Sequence, residues 1–403
     1  MTALKEKNLS VVIVGAGITG LSTAFHLADK GVPRILLIDK GQAGSGSSSK
    51  SGAVNTMLMP TETGTLARSI TMDIFERFSN ILPDYSFHQD GCLFIYDEPE
   101  FLETQSEREM QQRVGAQFEV LRQKEMQQRF PALTIGDNEY GVLDLRGGWN
   151  EPDTYIHALQ AKVREMGVEI REHEPVENFI LESGQVRGVR TRTSGELHAD
   201  TVVCTVNAWA NSLLASVDQL TPARHFVHER FVTSRLNDVP HIPATNDNAN
   251  QVYYRPTEDQ RLLFGTTAQD PLEIKMPDID FDYAALKLAP NAAPFIQQAI
   301  AHRFSQVQGL KLEKHRIGLI SLTADRQPNI GPVRALPGLF LGSNFNSGGF
   351  GYHAVAGLLL SEFILDGHTR LDVKAFSPDR FADFDTKAFL AKEINYQQIV
   401  RRH

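Results

Sequence analysis

With 403 residues, 41% of them hydrophobic and 22% charged, the chain is long enough for about two to three domain-sized units. A net charge of −9 leaves no basic footprint for nucleic acid and no cationic surface for anionic lipid. The two cysteines, Cys92 and Cys204, lie far apart in apolar runs, so buried free thiols are expected rather than a disulfide or a metal pair. No C-x-x-C or H-E-x-x-H spacing occurs, so no metal is expected. Residues 1–10 are short and polar, the apolar run from Val11 is broken by glycines and is expected to be a strand rather than a signal peptide, and no apolar run is long enough to span a bilayer; a cytoplasmic protein is expected.

The first element is Val11-Val12-Ile13-Val14, a β-branched run that reads as a buried parallel strand. It meets Gly15-Ala16-Gly17-Ile18-Thr19-Gly20, a G-x-G-x-x-G turn. Gly15 permits the tight turn, Gly17 leaves room for a pyrophosphate, and Gly20 lets the next helix lie close on the strand. That helix points its N-terminal amides and positive dipole end at the phosphates. A second strand, Ile35-Leu36-Leu37-Ile38, ends on Asp39, which is spaced to accept hydrogen bonds from an adenosine ribose.

Residues 41–52 are rich in Ser and Gly and carry one lysine, Lys50. Alone the run resembles a flexible linker; after a dinucleotide fingerprint it is placed to wrap the pyrophosphate and the second ring system. A helix is expected over 66–82, stopped by Pro83. From 84 to about 150 the character changes, with a strand over 91–96 and a charged, Gln-rich helical stretch over 101–130. Asp153 is placed to cap a helix through Ile156, Leu159 and Val163. A strand over 167–170, a meander over 179–197 around Gly184, and a buried strand over 199–209 follow. The last ends near the crevice where strand C-termini place binding loops.

Residues 226–316 read as a second excursion, with strands over 252–256 and 261–265 and a helix over 283–304. Tyr253 and Tyr254 alternate on the first of these strands, so only one faces a site. Tyr254 or Arg255 is expected to contact substrate. Late in the chain, a strand over 339–342 leads into Asn346-Ser347-Gly348-Gly349-Phe350-Gly351-Tyr352-His353, which opens a helix to Ile364. This second glycine-rich helix start is suited to stabilising negative charge on an electron-rich ring. A tight helix-packing turn is the alternative. His353 just inside the helix reads either as a packing residue or as a site residue.

These pieces together resemble the D-amino-acid-oxidase-like flavoenzymes, which include glycine oxidase, sarcosine oxidase and several amino-acid dehydrogenases. The carriers are the glycine fingerprint with Asp39, the Ser47–Gly52 turn, Gly148-Trp149 before Pro152, the strand reaching Trp209, the 323–332 segment and the Gly348–Gly351 turn. The resemblance implies an α/β architecture: a Rossmann-type FAD-binding domain (1–83, 145–225 and 317–383), a mainly antiparallel-sheet α+β substrate domain (84–144 and 226–316) and an appendage (384–403). It also implies FAD held by Gly15, Gly17, Ile18, Thr19, Gly20, Asp39, Lys40, Ser47, Ser48, Lys50, Ser51, Val176, Asn207, Trp209, Gly348, Gly349, Phe350 and Gly351. Substrate contacts fall to Arg255, Tyr254 and His353. In this family the flavin accepts a hydride equivalent from a C–H bond next to an amine, and the imine is hydrolysed; the cofactor carries the reaction and the protein positions it.

Three departures from the family pattern stand out. Ile320 occupies the position, two residues after Gly318, where many members carry an arginine for the substrate carboxylate. An aliphatic side chain does not replace a bidentate guanidinium, so Arg255 or Arg316 must serve or the substrate is not a simple α-amino acid. Asn207 replaces a usual glycine, and Asn tolerates unusual backbone angles. Ala324 stands where proline is common. No cysteine follows Cys204 and no histidine lies in the Ser47–Gly52 turn, so non-covalent FAD is expected. Oxidation of a 2-hydroxy acid and a low-turnover, FAD-containing accessory protein are the alternative functions. The expected partners are a small amine or amino acid and an electron acceptor (oxygen, a quinone or a partner protein); an oligomer is compatible with the family.

Overall fold

The computed structural model describes residues 9–266, 272–307 and 309–393. The first strand, Ser10–Val14, lies inside a six-stranded sheet between Thr201–Cys204 and Arg34–Ile38. The sheet continues through Leu339–Ser343 to Asn329–Pro332 on one edge and ends at Glu169–Arg171 on the other. All its neighbours run parallel except the Asn329–Pro332 pair. Both faces are covered, which is why these strands read as unbroken apolar runs. On one face Ile13, Leu37 and Val203 pack with residues of the helices Ile18–Asp29, Glu62–Ile81, Pro152–Glu165 and Gly349–Asp366. On the other, Val12, Val14 and Val202 pack with the three-stranded meander Val176–Glu182, Gln185–Thr191 and Gly195–His198.

An eight-stranded sheet takes its strands in the order Leu312–Thr323, Ala223–Thr233, Leu262–Thr266, Val252–Pro256, Ala244–Asp247, Cys92–Asp97, Glu139–Asp144 and Phe118–Arg122. Every pairing is antiparallel except Ala244–Asp247 with Cys92–Asp97. The mixed architecture is the expected one: a parallel sheet with helices and a separate, mainly antiparallel sheet. Leu312–Thr323 runs without interruption across position 317, and its partner strand begins at Ala223. The boundary expected at 316–317 therefore lies within a strand.

Several local expectations are corrected. The 101–130 stretch is not helical throughout: helices Glu98–Glu103, Gln105–Arg113 and Gln123–Arg129 flank an edge strand, Phe118–Arg122. Only Leu121 of this edge strand is buried and Val120 is exposed beside Glu119, so no alternation marks it. The helix expected over 283–304 begins only at Ala292, because Pro290 and the short 3-10 turn Tyr283–Ala285 break the start. Asp153 does not cap its helix; Glu151 stands at that position, Pro152 opens the first turn, and Asp153 pairs with Arg316 at 2.7 Å. The strand before Trp209 stops at Cys204 and gives way to the 3-10 turn Asn207–Trp209. Cys92 and Cys204 are free and buried. Among the described residues no helix is long and apolar enough to cross a membrane, and no group of metal-ligating side chains is brought together. Of the 384–403 appendage, Thr386–Ala391 is helical, Arg224 donates to the carbonyls of Phe389 and Lys392, and 394–403 lie outside the described residues.

Candidate functional site

At the C-terminal edge of the parallel sheet the glycine turn is fixed from three sides. The Gly15 amide donates to the Ile38 carbonyl at 2.7 Å, the Thr205 hydroxyl donates to the Gly15 carbonyl at 2.8 Å, and the Ala16 amide donates to Asp39 Oδ2 at 2.7 Å. Gly15 adopts φ +103°, a left-handed geometry that side chains resist. A Cβ on Gly20 would collide with the Gly15 carbonyl, so the helix Ile18–Asp29 lies directly on the turn. Asp39 also accepts the Gly41 amide at 2.9 Å. Its carboxylate thus ties the two strand ends together beside the position where a ribose is expected. Burial pushes its pKa up.

The Ser-rich run is ordered. Ser48–Lys50 forms a 3-10 turn, Ser48 Oγ accepts the Ile18 amide at 3.1 Å, and Ser47 Oγ bonds both Tyr283 Oη and the Leu319 carbonyl at 2.8 Å. Lys50 donates to the carbonyls of Ser45 and Gly46 and lies 4.5 Å from the centre of the Tyr283 ring. Burial lowers its pKa to about 8. Lys40 donates to the carbonyls of Ile279 and Phe281 and lies 4.3 Å from the Trp209 ring. Asn207 takes φ 45° and accepts the Asn344 amide at 3.1 Å, so the turn that a glycine usually makes is kept.

One cavity of about 1130 Å³ joins these parts to the start of the Gly349–Asp366 helix. Gly15, Gly17, Ile18, Thr19, Asp39, Lys40, Ser47, Ser48, Lys50, Ser51, Val176, Asn207, Trp209, Gly348, Gly349, Phe350 and Gly351 all border it. Gly20 does not; it serves helix packing. The volume exceeds a typical small-ligand pocket and suits an extended dinucleotide. The residues fit FAD on their own geometry: a Cβ on Gly17 would stand 3.1 Å from Ser48 Oγ and narrow the channel between the first turn and the Ser-rich turn.

The expected substrate residues are placed elsewhere. Tyr254 is fully buried on the far face of its strand, with ring centres 5.0 Å from Phe304 and 5.6 Å from Phe264. Arg255 is fully buried outside the cavity: its Nε donates to the Gly52 carbonyl at 2.6 Å, its Nη1 donates to the Pro256 carbonyl at 2.7 Å, and it lies 4.7 Å from the Trp149 ring centre. It braces the end of the Ser-rich turn. Arg316 likewise does not border the cavity; it donates to the Ser49 carbonyl at 2.7 Å and pairs with Asp153. His353 is fully buried between the Phe350 carbonyl at 2.7 Å and Tyr155 Oη at 2.6 Å. A carbonyl only accepts, so Nδ1 carries the proton and Nε2 accepts from Tyr155. Burial lowers its pKa to about 3 and keeps it neutral.

Tyr253, His228, Asn246, Arg68 and Ile320 are among the residues that do border the cavity. His228 Nε2 and Tyr253 Oη are 2.9 Å apart. His228 pairs with Gly318 across the sheet, and Tyr253 pairs with Gly265. The alternation of Tyr253 and Tyr254 was readable; which of them faces in is set by pairing with strands remote in sequence. Arg68 and His228 carry no local motif, and only the assembled fold identifies them.

The family model for FAD dependent oxidoreductases, DAO, matches residues 10–363. The chain is 25% identical over 395 residues to 4-methylaminobutanoate oxidase (formaldehyde-forming) of Paenarthrobacter nicotinovorans, covering 93% of this chain and 46% of the relative. It is 23% identical over 383 residues to the mitochondrial sarcosine dehydrogenase of Homo sapiens, covering 92% and 41%. The chain thus spans about half the length of these curated relatives. Against glycine oxidase of Pseudomonas putida it is 24% identical over 383 residues, covering 92% of this chain and 98% of the relative. Among solved structures, L-proline dehydrogenase from P. horikoshii superposes with a TM-score of 0.85 at 23% identity, over 94% of this chain and 98% of that one. Glycine oxidase from Geobacillus kaustophilus gives 0.79 at 20% identity, over 96% and 99%. With the family model matching nearly the whole length and the cavity built to hold a dinucleotide, the chain belongs to the DAO family of FAD dependent oxidoreductases.

Proposed function

We propose that this chain oxidises a carbon–nitrogen bond of a small amine or N-substituted amino acid, with non-covalent FAD. The observation that carries the reading is the His228–Tyr253 pair, which borders the same cavity as Asp39. Bound FAD supplies the two-electron acceptor. His228 Nε2 and Tyr253 Oη share a hydrogen bond that orients the phenol, and the phenol oxygen is an acceptor for an N–H of the substrate amine. The amine is held neutral there, its lone pair available as the adjacent C–H bond is broken, and no strong base is required. Ile320 gives the neighbouring wall an apolar surface that excludes water. The amides of Gly349 and Phe350, at the start of the Gly349–Asp366 helix, favour negative charge developing beside them. The product imine is hydrolysed by water.

The names of the relatives support this class: 4-methylaminobutanoate, sarcosine and glycine are all amines bearing a carboxylate. Electrons then pass to oxygen, a quinone or a partner protein. The test is anaerobic mixing of the yellow protein with D- and L-amino acids, N-methyl and cyclic amines, and 2-hydroxy acids while flavin absorbance is followed. Bleaching by amines is expected, and re-oxidation by air or a quinone names the acceptor. Bleaching by hydroxy acids alone overturns the amine reading, and no bleaching by any compound favours an accessory role.

A further inference from the structure

Arg68 sits on the Glu62–Ile81 helix with only 4% of its surface exposed, yet it borders the cavity. Its guanidinium lies 4.3 Å from the Tyr352 ring centre, and its Nε and Nη1 have no hydrogen-bond partner. A Cβ on Gly351 would fall on Nη1, and a Cβ on Gly348 would stand 2.5 Å from Nη2. The second glycine motif is therefore shaped around an arginine. This cation lies against the N-terminus of the Gly349–Asp366 helix, where the dipole is already positive. Among the described residues no carboxylate acts on its charge; apart from burial, the groups that do are Tyr352, which also hydrogen-bonds it, and Cys92. A buried guanidinium with unspent donors beside a positive helix end is costly unless an anion completes it. The lysines of the cavity do not offer the same: Lys40 and Lys50 spend their ammonium groups on backbone carbonyls.

We infer that the Arg68 guanidinium, beside the positive end of the Gly349–Asp366 helix, is an anion site whose occupant is the carboxylate of the substrate. This rests on the amine-oxidising reading above. It also explains how the chain manages with Ile320 on the opposite wall: the guanidinium is supplied from a helix, not from the sheet. A planar guanidinium at this point donates to two carboxylate oxygens, and the amine then reaches towards Tyr253.

The test uses the FAD-loaded protein, with acetate as a minimal carboxylate and perturbation of the flavin spectrum as the readout. The wild type is expected to bind acetate saturably, Arg68→Met about 100-fold more weakly, and Arg68→Lys about 10-fold more weakly, with FAD content unchanged. The midpoint potential of the bound flavin is expected to stay the same in all three. Should Arg68→Met fail to hold FAD, Arg68→Lys against wild type decides. Equal acetate affinity in wild type and variants, or no acetate binding by the wild type, overturns the inference. A shifted potential with unchanged acetate affinity also overturns it and assigns the arginine to the cofactor's own charge. Acetate binding that depends on Arg68, in a protein that no amine reduces, leaves the anion site standing while the amine reading falls.

Discussion

The ring of Tyr253 occupies the space that a side chain on Gly265 would need, and its hydroxyl lies 3.0 Å from where a Cβ on Gly52 would stand. The tyrosine is wedged between one glycine of its own sheet and one of the Ser-rich turn. A Gly265→Ala substitution must push the ring off its bond to His228 Nε2. The expected outcome is a fall in kcat/KM of about 100-fold with FAD retained, since ångström-scale misplacement costs that much. Steady-state kinetics alongside the flavin-to-protein absorbance ratio checks it; unchanged kinetics removes Tyr253 from the reaction.

Asp39 holds two amides, those of Ala16 and Gly41, and so fixes the turn that receives the nucleotide. Asp39→Ala is expected to weaken FAD binding by about 10- to 100-fold, the loss of charge-assisted hydrogen bonds worth about 1.5–3 kcal/mol each, partly recovered by water. The apoprotein for this titration is made by acid precipitation. That step itself checks attachment: the yellow colour is expected in the supernatant, and colour that stays with the pellet shows a covalent link.

Three histidines are buried neutral. Burial holds His26 and His353 at about 3 and His225 at about 4. An unfolded histidine titrates at its ordinary value of 6.5, so below it the unfolded chain binds more protons than the folded one. The stability held above pH 6.5 is therefore lost as pH falls towards the folded values, by about 1.4 kcal/mol per pH unit for each histidine. The buried carboxyls of Asp39 and Asp144, whose pKa is raised, act in the opposite sense. Urea unfolding between pH 7.5 and 5 is expected to show stability falling steeply with acid. His26→Leu is expected to make that slope shallower by about 1.4 kcal/mol per unit.

Arg303 anchors the far side of the eight-stranded sheet. It is 1% exposed, bonds Asp247 through Nε at 2.7 Å and Nη2 at 2.9 Å, and bonds Glu139 through Nη1 at 2.7 Å. Arg303→Met leaves the Asp247 carboxylate buried and unpaired and is expected to destabilise by about 3–5 kcal/mol. Replacing Arg303, Asp247 and Glu139 together with apolar residues is expected to recover much of that loss. Thermal unfolding of the single and triple variants decides.

What the sequence disclosed depended on how local each signal was. The turn from Gly15 to Gly20, with Asp39 closing it, is a contiguous pattern in the sequence, although Gly15 and Gly17 answer to Thr205 and Ser48 from elsewhere in the chain. The Gly348–Gly351 turn was visible as a helix start, but the object it is moulded around was not, because Arg68 arrives from a helix about 280 residues earlier. Strand alternation separated Tyr253 from Tyr254 without saying which was inside; the pairing with Leu262–Thr266 and the core around Phe304 decide that. Arg255 was plausible as a clamp on charge alone, and the fold spends it on Gly52 instead. The strand Phe118–Arg122 escaped notice because an edge strand needs no continuous apolar face.

The helix that begins at Gly349 lies on the helix that begins at Ile18: Ser22 donates to the Ala354 carbonyl at 3.3 Å, across 332 residues of chain. A ribosome adding about 5–20 residues per second takes roughly 20–60 s to cover that interval. Throughout it, the first glycine turn has left the synthesis site without the wall that closes its cavity. Cofactor capture is therefore a late event in the life of each molecule. A cell short of flavin would accumulate chains that are fully made but incompletely assembled, and it is at this stage, rather than during turnover, that the protein is most open to proteases.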